Sequence, residues 1–326
     1  MTATTLPTHL QTSHGLVPLP AYVPVTTFGA KYPLDDLVRP YLPRLAPAAM
    51  ISLHYARQMK TRPNLPLMVD SGGFASLFGH ARVLADGAVG ILETTVDAQI
   101  ERLHPADVLD FQERHADIGF TLDFPVPPSM DPDEGRRRIE LTIANARWAI
   151  ENRRRRDLLL FASIQGTDAP SYAEAATCLA DLPFDGFAIG GLVPRASDRE
   201  LVMAVVDAVR GAIPGRPLHV FGLGNPDMVG RLFQRGVQSV DSSSYVRLAA
   251  DGKRWGAYGS PLADASPVER LHLALCNLAV ATQRTVPLAA AASLTFSTPA
   301  LAAAPRPSAP SASPRARARV RTPTGP

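Results

Sequence analysis

Three aspartates, two glycine pairs and two aromatic rings stand at the ends of short apolar runs in this 326-residue chain. The first run, Leu67-Met68-Val69, stops at Asp70-Ser71-Gly72-Gly73-Phe74. Glycines admit φ > 0 and let backbone approach a ligand closely, so the strand ends here with a carboxylate and a flat ring presented together. Taken alone, Asp70-Ser71-Gly72-Gly73 reads equally well as a strand-to-loop turn. The pattern then repeats along the chain. Leu122 is followed by Asp123, Ile164 by Gln165-Gly166, Ile189 by Gly190-Gly191, Phe221 by Gly222, and Val240 by Asp241-Ser242. One polar strand end carries no information; six in order converge on a single cavity if the strands are parallel, because α/β folds place their sites beyond the strands' C-terminal ends.

The elements that must position these residues follow from periodicity. Strands are expected at Leu67–Val69, Ile118–Leu122, Leu158–Ile164, Gly186–Ile189, Leu218–Leu223 and Val237–Val240, with weaker ones at Tyr22–Val25 and Met50–Leu53. Helix-like segments lie between them at 97–115, 131–156, 170–181, 198–212, 225–235 and 266–282. The long one opens with Asp131 at the N-cap position, Pro132 at the first helical position and Glu134 three after the cap. Strand–helix alternation over some 270 residues predicts a parallel α/β sheet closed into a (β/α)8 TIM barrel. The expected division is a lead at 1–11, the barrel at 12–285 and a disordered tail at 286–326.

The tail changes how the charge is read. The chain carries 33 basic and 30 acidic residues, for a net +3. Residues 286–326 hold Arg306, Arg315, Arg317, Arg319 and Arg321 with no acid, and setting these aside leaves 28 basic against 30 acidic residues. That segment is about half Ala and Pro and cannot form a packed core. It either aids solubility or makes salt-sensitive contact with nucleic acid. Of the clustered arginines in the body, Arg136–Arg138 stand near the start of the long helix on the face of Asp123, as phosphate contacts or a solvated face. Arg153–Arg156 end that helix at the barrel's other face, complementing its dipole. A hydrophobic share of 46%, with no uncharged apolar run of 18 residues, argues for a globular chain without a membrane span. The N-terminus lacks the basic and apolar regions of a secretory signal. Cys178 and Cys276 are the only cysteines, too few for a disulfide framework or a metal cage. A reducing cytoplasm is expected, with no metal, cofactor or membrane partner.

In this order the motifs resemble the tRNA-guanine transglycosylase family, also called queuine tRNA-ribosyltransferases. The likeness begins at His14-Gly15 and Pro20-Ala21-Tyr22-Val23-Pro24-Val25 and continues through Asp70–Phe74, Asp123 and Ile164-Gln165-Gly166. It runs on through Phe184-Asp185-Gly186-Phe187-Ala188-Ile189-Gly190-Gly191-Leu192, Phe221-Gly222-Leu223-Gly224-Asn225-Pro226, Arg235-Gly236 and Val240-Asp241. The resemblance implies exchange of a guanine in a polynucleotide for a 7-deazaguanine-type base. Asp241 then matches the nucleophile that traps an oxocarbenium-like sugar, and Asp70 the general acid/base. Asp123 matches the carboxylate that accepts from guanine N1–H and N2–H₂. Gln165 and the backbone of Gly190, Gly191 and Leu192 match the groups facing the O6 edge and the 7-substituent. Phe74 and Phe221 match the walls that cover the base, although core packing is an equal reading for each.

The pattern also departs from the family. No Cys-x-Cys-x-x-Cys zinc motif is present, and Cys276 and His272 read as helix residues, the cysteine in the core. After Asp241, Arg247 aligns with the first arginine that the family uses on the anticodon loop, but Ala250 replaces the second. Val193-Pro194-Arg195-Ala196 stands where the family has a glutamate, and Ala75 follows Phe74 in place of a polar residue. The resemblance makes base exchange on tRNA the leading expectation. The same exchange on DNA, a catalytically silent nucleic-acid-binding barrel and an N-glycoside hydrolase remain open, as does the oligomeric state.

Overall fold

The computed structural model describes residues 5–29, 31–96, 99–256, 262 and 264–283. Eight strands make the central sheet: β3 (Ala21–Pro24), β4 (Ala49–Ile51), β5 (Leu67–Val69), β9 (Ile118–Phe120), β10 (Leu159–Ile164), β11 (Gly186–Ile189), β12 (Leu218–Val220) and β13 (Ser239–Ser242). Their order is β3-β13-β12-β11-β10-β9-β5-β4, and every neighbouring pair is parallel. A parallel bridge between Val25 and Met50, with Thr26 N–H donating to Met50 O at 2.9 Å, joins β3 to β4 and closes the ring. This is the (β/α)8 barrel that the alternation predicts, and all eight predicted strands are in it. Parallel strands bury both faces, which is why they read as unbroken apolar runs such as Leu159-Leu160-Phe161-Ala162.

The helices α1 (Pro33–Val38), α2 (Leu42–Leu45), α3 (Leu53–Ala56), α4 (Pro105–His115), α5 (Pro132–Asn152), α6 (Ala169–Thr177), α7 (Arg199–Ala212), α8 (Pro226–Gln234), α9 (Ser244–Ala250) and α10 (Pro267–Gln283) surround it. Four of them start on a capping acid or amide. Asp131, Asp168, Asp198 and Asn225 accept from backbone N–H groups of the first turn, and Pro occupies N1 or N2 in α5, α6 and α8.

Two apolar layers hold the fold. Outside the strands, residues such as Val69, Ile189, Leu218, Val220 and Val240 pack against helix faces that include Val202, Val205, Val206 and Val209 of α7. Inside the barrel, Val23, Met50, Met68, Ile118, Phe120, Phe161 and Ala188 fill the axis, with Phe221 at its upper end. A hairpin of β1 (His9–Thr12) and β2 (Gly15–Pro18) plugs the lower end through Leu10 and Val17. Asp117 fixes that end, accepting from the Leu67 N–H and pairing with Arg62 and with His14 at 2.7 Å.

Three expectations change here. Residues 9–11, assigned to the lead, form part of β1; its alternation of exposed and buried positions is too short to stand out in a sequence. Residues 99–103 are not helical. They form β8 (Gln99–Leu103), which with β6 (Ala81–Asp86) and β7 (Val89–Val96) makes an antiparallel sheet inserted between β5 and α4. Gln-Ile-Glu-Arg-Leu is a run of good helix formers, and cross-strand pairing overrides that propensity. Cys276, read as a core residue, is half-buried, with its Sγ 3.5 Å from His272 Nε2. Among the described residues no helix is long and apolar enough to cross a membrane. The tail and its five arginines lie outside the described residues.

Candidate active site

The upper ends of β5, β9, β10, β11, β12 and β13 surround one cavity of about 340 Å³. Asp70, Phe74, Asp123, Gln165, Gly190, Gly191, Phe221, Asp241 and Arg247 all line it. Leu192 does not: its side chain is wholly buried in the outer core, so only its backbone lies near the site. Val25, Met50, Val193, Pro194, Ser242 and Ser244 are among the other residues of the wall.

Asp241 ends β13 with its side chain turned inward. Its Oδ1 accepts two hydrogen bonds, from His219 Nε2 at 3.0 Å and from the Gly222 N–H at 3.0 Å. Among the described residues nothing bonds Oδ2. One oxygen is anchored and the other has no partner among the described residues, on a side chain that lines the cavity. His219 is fully buried, and its Nδ1 lies 2.8 Å from Ser239 Oγ. The sequence reading missed His219, yet a signal was present. It sits two residues before Phe221 on β12 and so shares the inward face, while Leu218 and Val220 face outward.

Asp70 repeats the arrangement across the cavity. Its Oδ1 accepts from the Leu53 N–H at 3.0 Å and the Gly72 N–H at 2.9 Å, leaving Oδ2 without a partner among the described residues. Desolvation above all, helped by the charges of Asp241 and Asp123, pushes its pKa up to about 6 against those two bonds. A carboxyl group that titrates near neutrality can both give and take a proton.

Asp123 is buried, with one hydrogen-bond donor on each carboxylate oxygen. Ser71 Oγ donates to its Oδ1 and Gln165 Nε2 to its Oδ2, both at 2.6 Å. Burial raises its pKa, and these two bonds oppose the rise. The other amide atom of Gln165, Oε1, is buried without a hydrogen-bond partner among the described residues.

The backbone around these groups is pinned. Gly190 O accepts from the buried Tyr172 hydroxyl at 2.7 Å, and Gly191 O accepts from Arg195 at 2.8 Å. Arg195 also donates to Val126 O at 2.7 Å. It therefore buttresses the Gly190-Gly191 turn instead of reaching the cavity. Gly191 has φ +71°, a conformation that favours glycine. Gly73 is required for a different reason: a Cβ there would stand 1.9 Å from Asp123 O. Gly73→Ala is accordingly expected to lower stability by about 1–3 kcal/mol and to displace the turn carrying Asp70 and Phe74. Thermal melts check the lost stability.

The arginine clusters are committed elsewhere. Arg138 is buried against Glu134, Ser76 and Pro125 O, Arg137 holds Glu134 and Val83 O, and Arg136 pairs with Asp133. Arg138 is thus spent on packing, whereas Arg136, with 66% of its side chain exposed beside an exposed Asp133, lies on a solvated face. At the opposite end, Arg153 pairs with Asp185, and Glu113 accepts from the backbone N–H groups of Arg154 and Arg155, so specific partners organise that cluster in addition to the helix dipole. Arg247 is the basic side chain that reaches the cavity.

The family's structural zinc has no counterpart in these residues. With two cysteines, one exposed and one half-buried on separate helical segments, the chain cannot supply a three-cysteine cluster.

The model of the family described as queuine tRNA-ribosyltransferase matches residues 7–273. Among similar proteins, the tRNA-guanine(15) transglycosylase of Methanothermobacter thermautotrophicus is 30% identical over 85% of this chain and 40% of its own length. The queuine tRNA-ribosyltransferase of Gluconacetobacter diazotrophicus is 32% identical over 77% of this chain and 69% of its own. That of Moorella thermoacetica is 28% identical over 77% and 71%. The chain thus spans well under half of the archaeal relative and about 70% of the bacterial ones. The match takes in every strand of the barrel and all the cavity carboxylates, and the chain belongs to the queuine tRNA-ribosyltransferase family.

Proposed function

We propose that this protein exchanges a guanine in tRNA for a 7-deazaguanine-type base through a covalent aspartyl–sugar intermediate. The observation that carries the reading is the pairing of Asp241 and Asp70 in one cavity, each with one oxygen anchored by two donors and the other left to the cavity. Asp241 Oδ2 attacks C1′ of the target nucleotide as the bond from C1′ to the guanine nitrogen breaks. Asp70 gives its proton to the leaving guanine. In the second half the incoming base loses a proton to Asp70, its nitrogen attacks C1′, and the ester to Asp241 is released. Two displacements at one carbon give retention and ping-pong kinetics.

Asp123 reads the Watson–Crick edge of the purine. Each carboxylate oxygen has capacity for a second hydrogen bond beside those from Ser71 and Gln165. The unpartnered Gln165 Oε1 gives the same wall a further acceptor. Phe74 and Phe221 offer apolar surface to the ring faces and exclude water from those in-plane bonds. The target base must leave its stack to reach this depth.

The reaction is tested with labelled guanine and labelled 7-cyano-7-deazaguanine, offered with tRNA and with duplex DNA side by side. Label entering tRNA supports the reading, and label entering DNA alone reassigns the substrate. Release of guanine with no uptake of base makes the protein a hydrolase and overturns it.

A further inference from the structure

Phe74, on the cavity rim, is the first of three rings that lead away from it in a row. Phe78 meets Phe74 edge-on with centroids 5.8 Å apart, and His80 lies parallel to Phe78 at 5.9 Å. All three are exposed, Phe74 by 53% and Phe78 by 49%. Their backbone is nevertheless anchored. The Phe78 N–H donates to Ala75 O, Phe78 O accepts from the Ala81 N–H, and His80 O accepts from the Thr95 N–H. Ser76, between the two phenylalanines, is buried and takes hydrogen bonds from Arg138 at its carbonyl and its hydroxyl. Gly73 rests directly against the Asp123 backbone.

Large rings kept in water on a pinned backbone, and continuous with a cavity, fit a flat ligand that continues the contents of that cavity. We propose that Phe78 and His80 form a stacking platform for an unpaired nucleobase next to the exchanged guanosine. The proposal rests on the transglycosylase reading and deepens it. A strand that delivers one base into the cavity presents its neighbour unstacked, and an aromatic face replaces the lost stacking partner whatever that neighbour's identity. The platform therefore contributes affinity for a single-stranded segment without reading its sequence. Phe74 serves both surfaces, touching the cavity on one side and Phe78 on the other.

Phe78→Trp places a fluorophore on the platform. Its emission is expected to be quenched, saturably, by an RNA stem-loop with a guanine in its loop. A DNA hairpin of the same sequence tells which polynucleotide is preferred, and a blunt, fully paired duplex is the control. Phe78→Ala is expected to raise KM for the stem-loop about tenfold while leaving KM for the free base unchanged, and Phe78→Trp to restore it. The platform is overturned if the tryptophan is not quenched, if the blunt duplex quenches it equally, or if Phe78→Ala leaves KM for the stem-loop within twofold of the parent. The quench is also read in the Asp241→Asn background, where no exchange is expected. If the parent exchanges no base while its Phe78→Trp variant shows the loop-specific quench, the transglycosylase reading is refuted and the platform stands.

Discussion

Asp241→Asn is expected to reduce base exchange by on the order of 10⁴-fold and to abolish the covalent adduct. Asparagine has the shape of aspartate, and its carbonyl oxygen can still accept from His219 and the Gly222 N–H, which hold the anchored oxygen at 3.0 Å each. The free oxygen, however, becomes an amide nitrogen with no electron pair to offer C1′. Folding is therefore expected to survive while chemistry does not, and a melting temperature within a few degrees of the parent separates the two. The adduct is read on a denaturing gel as polynucleotide carried with the protein during turnover. Exchange at the parental rate by this variant would remove Asp241 from the mechanism and with it the two-displacement scheme.

The second large effect expected of the proposed exchange belongs to Asp70, whose pKa is pushed up to about 6. Departure of guanine needs Asp70 protonated, so kcat/KM for the polynucleotide should fall as pH rises above about 6. Entry of the new base needs Asp70 ionised, so kcat/KM for the free base should fall as pH drops below about 6. Opposite limbs for two substrates of one enzyme are a signature that a purely structural carboxylate does not produce. Asp70→Asn should erase both limbs and lower exchange by about 10²–10⁴-fold. The same group acts on stability in the reverse sense. A carboxyl whose folded pKa is raised binds more protons folded than unfolded between about pH 4 and 6, so stability falls as pH rises through that window. Asp35, buried against Thr27 and raised to about 6, adds to the fall. At pH 7 Asp70→Asn is accordingly expected to be more stable than the parent by about 2 kcal/mol, the gap narrowing toward pH 4. A melting temperature at pH 7 below that of the parent would contradict this desolvated setting.

His219 shows how far a strand's residues could be read without coordinates. The inward alternation of His219 and Phe221 is written in Leu218-His219-Val220-Phe221, but which outward or inward position meets Asp241 depends on the neighbouring strand's register. In the fold His219 pairs with Ser239, two residues before Asp241, which brings the imidazole under the carboxylate. The inserted sheet β6–β8 was illegible for a related reason. Its solvent-facing residues carry no apolar run, and Gly90 fits only because it abuts Phe124 and α5, with its N–H donating to Asn145. The arginines at 136–138, open as sequence between phosphate contact and a solvated face, divide in the structure. As sequence they are three positive charges near the site, yet Glu134 and backbone carbonyls consume the two nearest the core.

By itself the sequence determined the barrel and the residues at its upper rim, because parallel strands bury both faces and announce themselves as apolar runs ending in polar side chains. Only the tertiary structure decided which oxygen of Asp70 and of Asp241 is anchored and which is left without a partner. It also decided which arginines are spent on packing, and that three rings step outward from the cavity. Those outcomes depend on contacts between residues dozens to hundreds of positions apart, such as Arg195 with Val126 and Tyr22 with Ser242, and no local pattern encodes them.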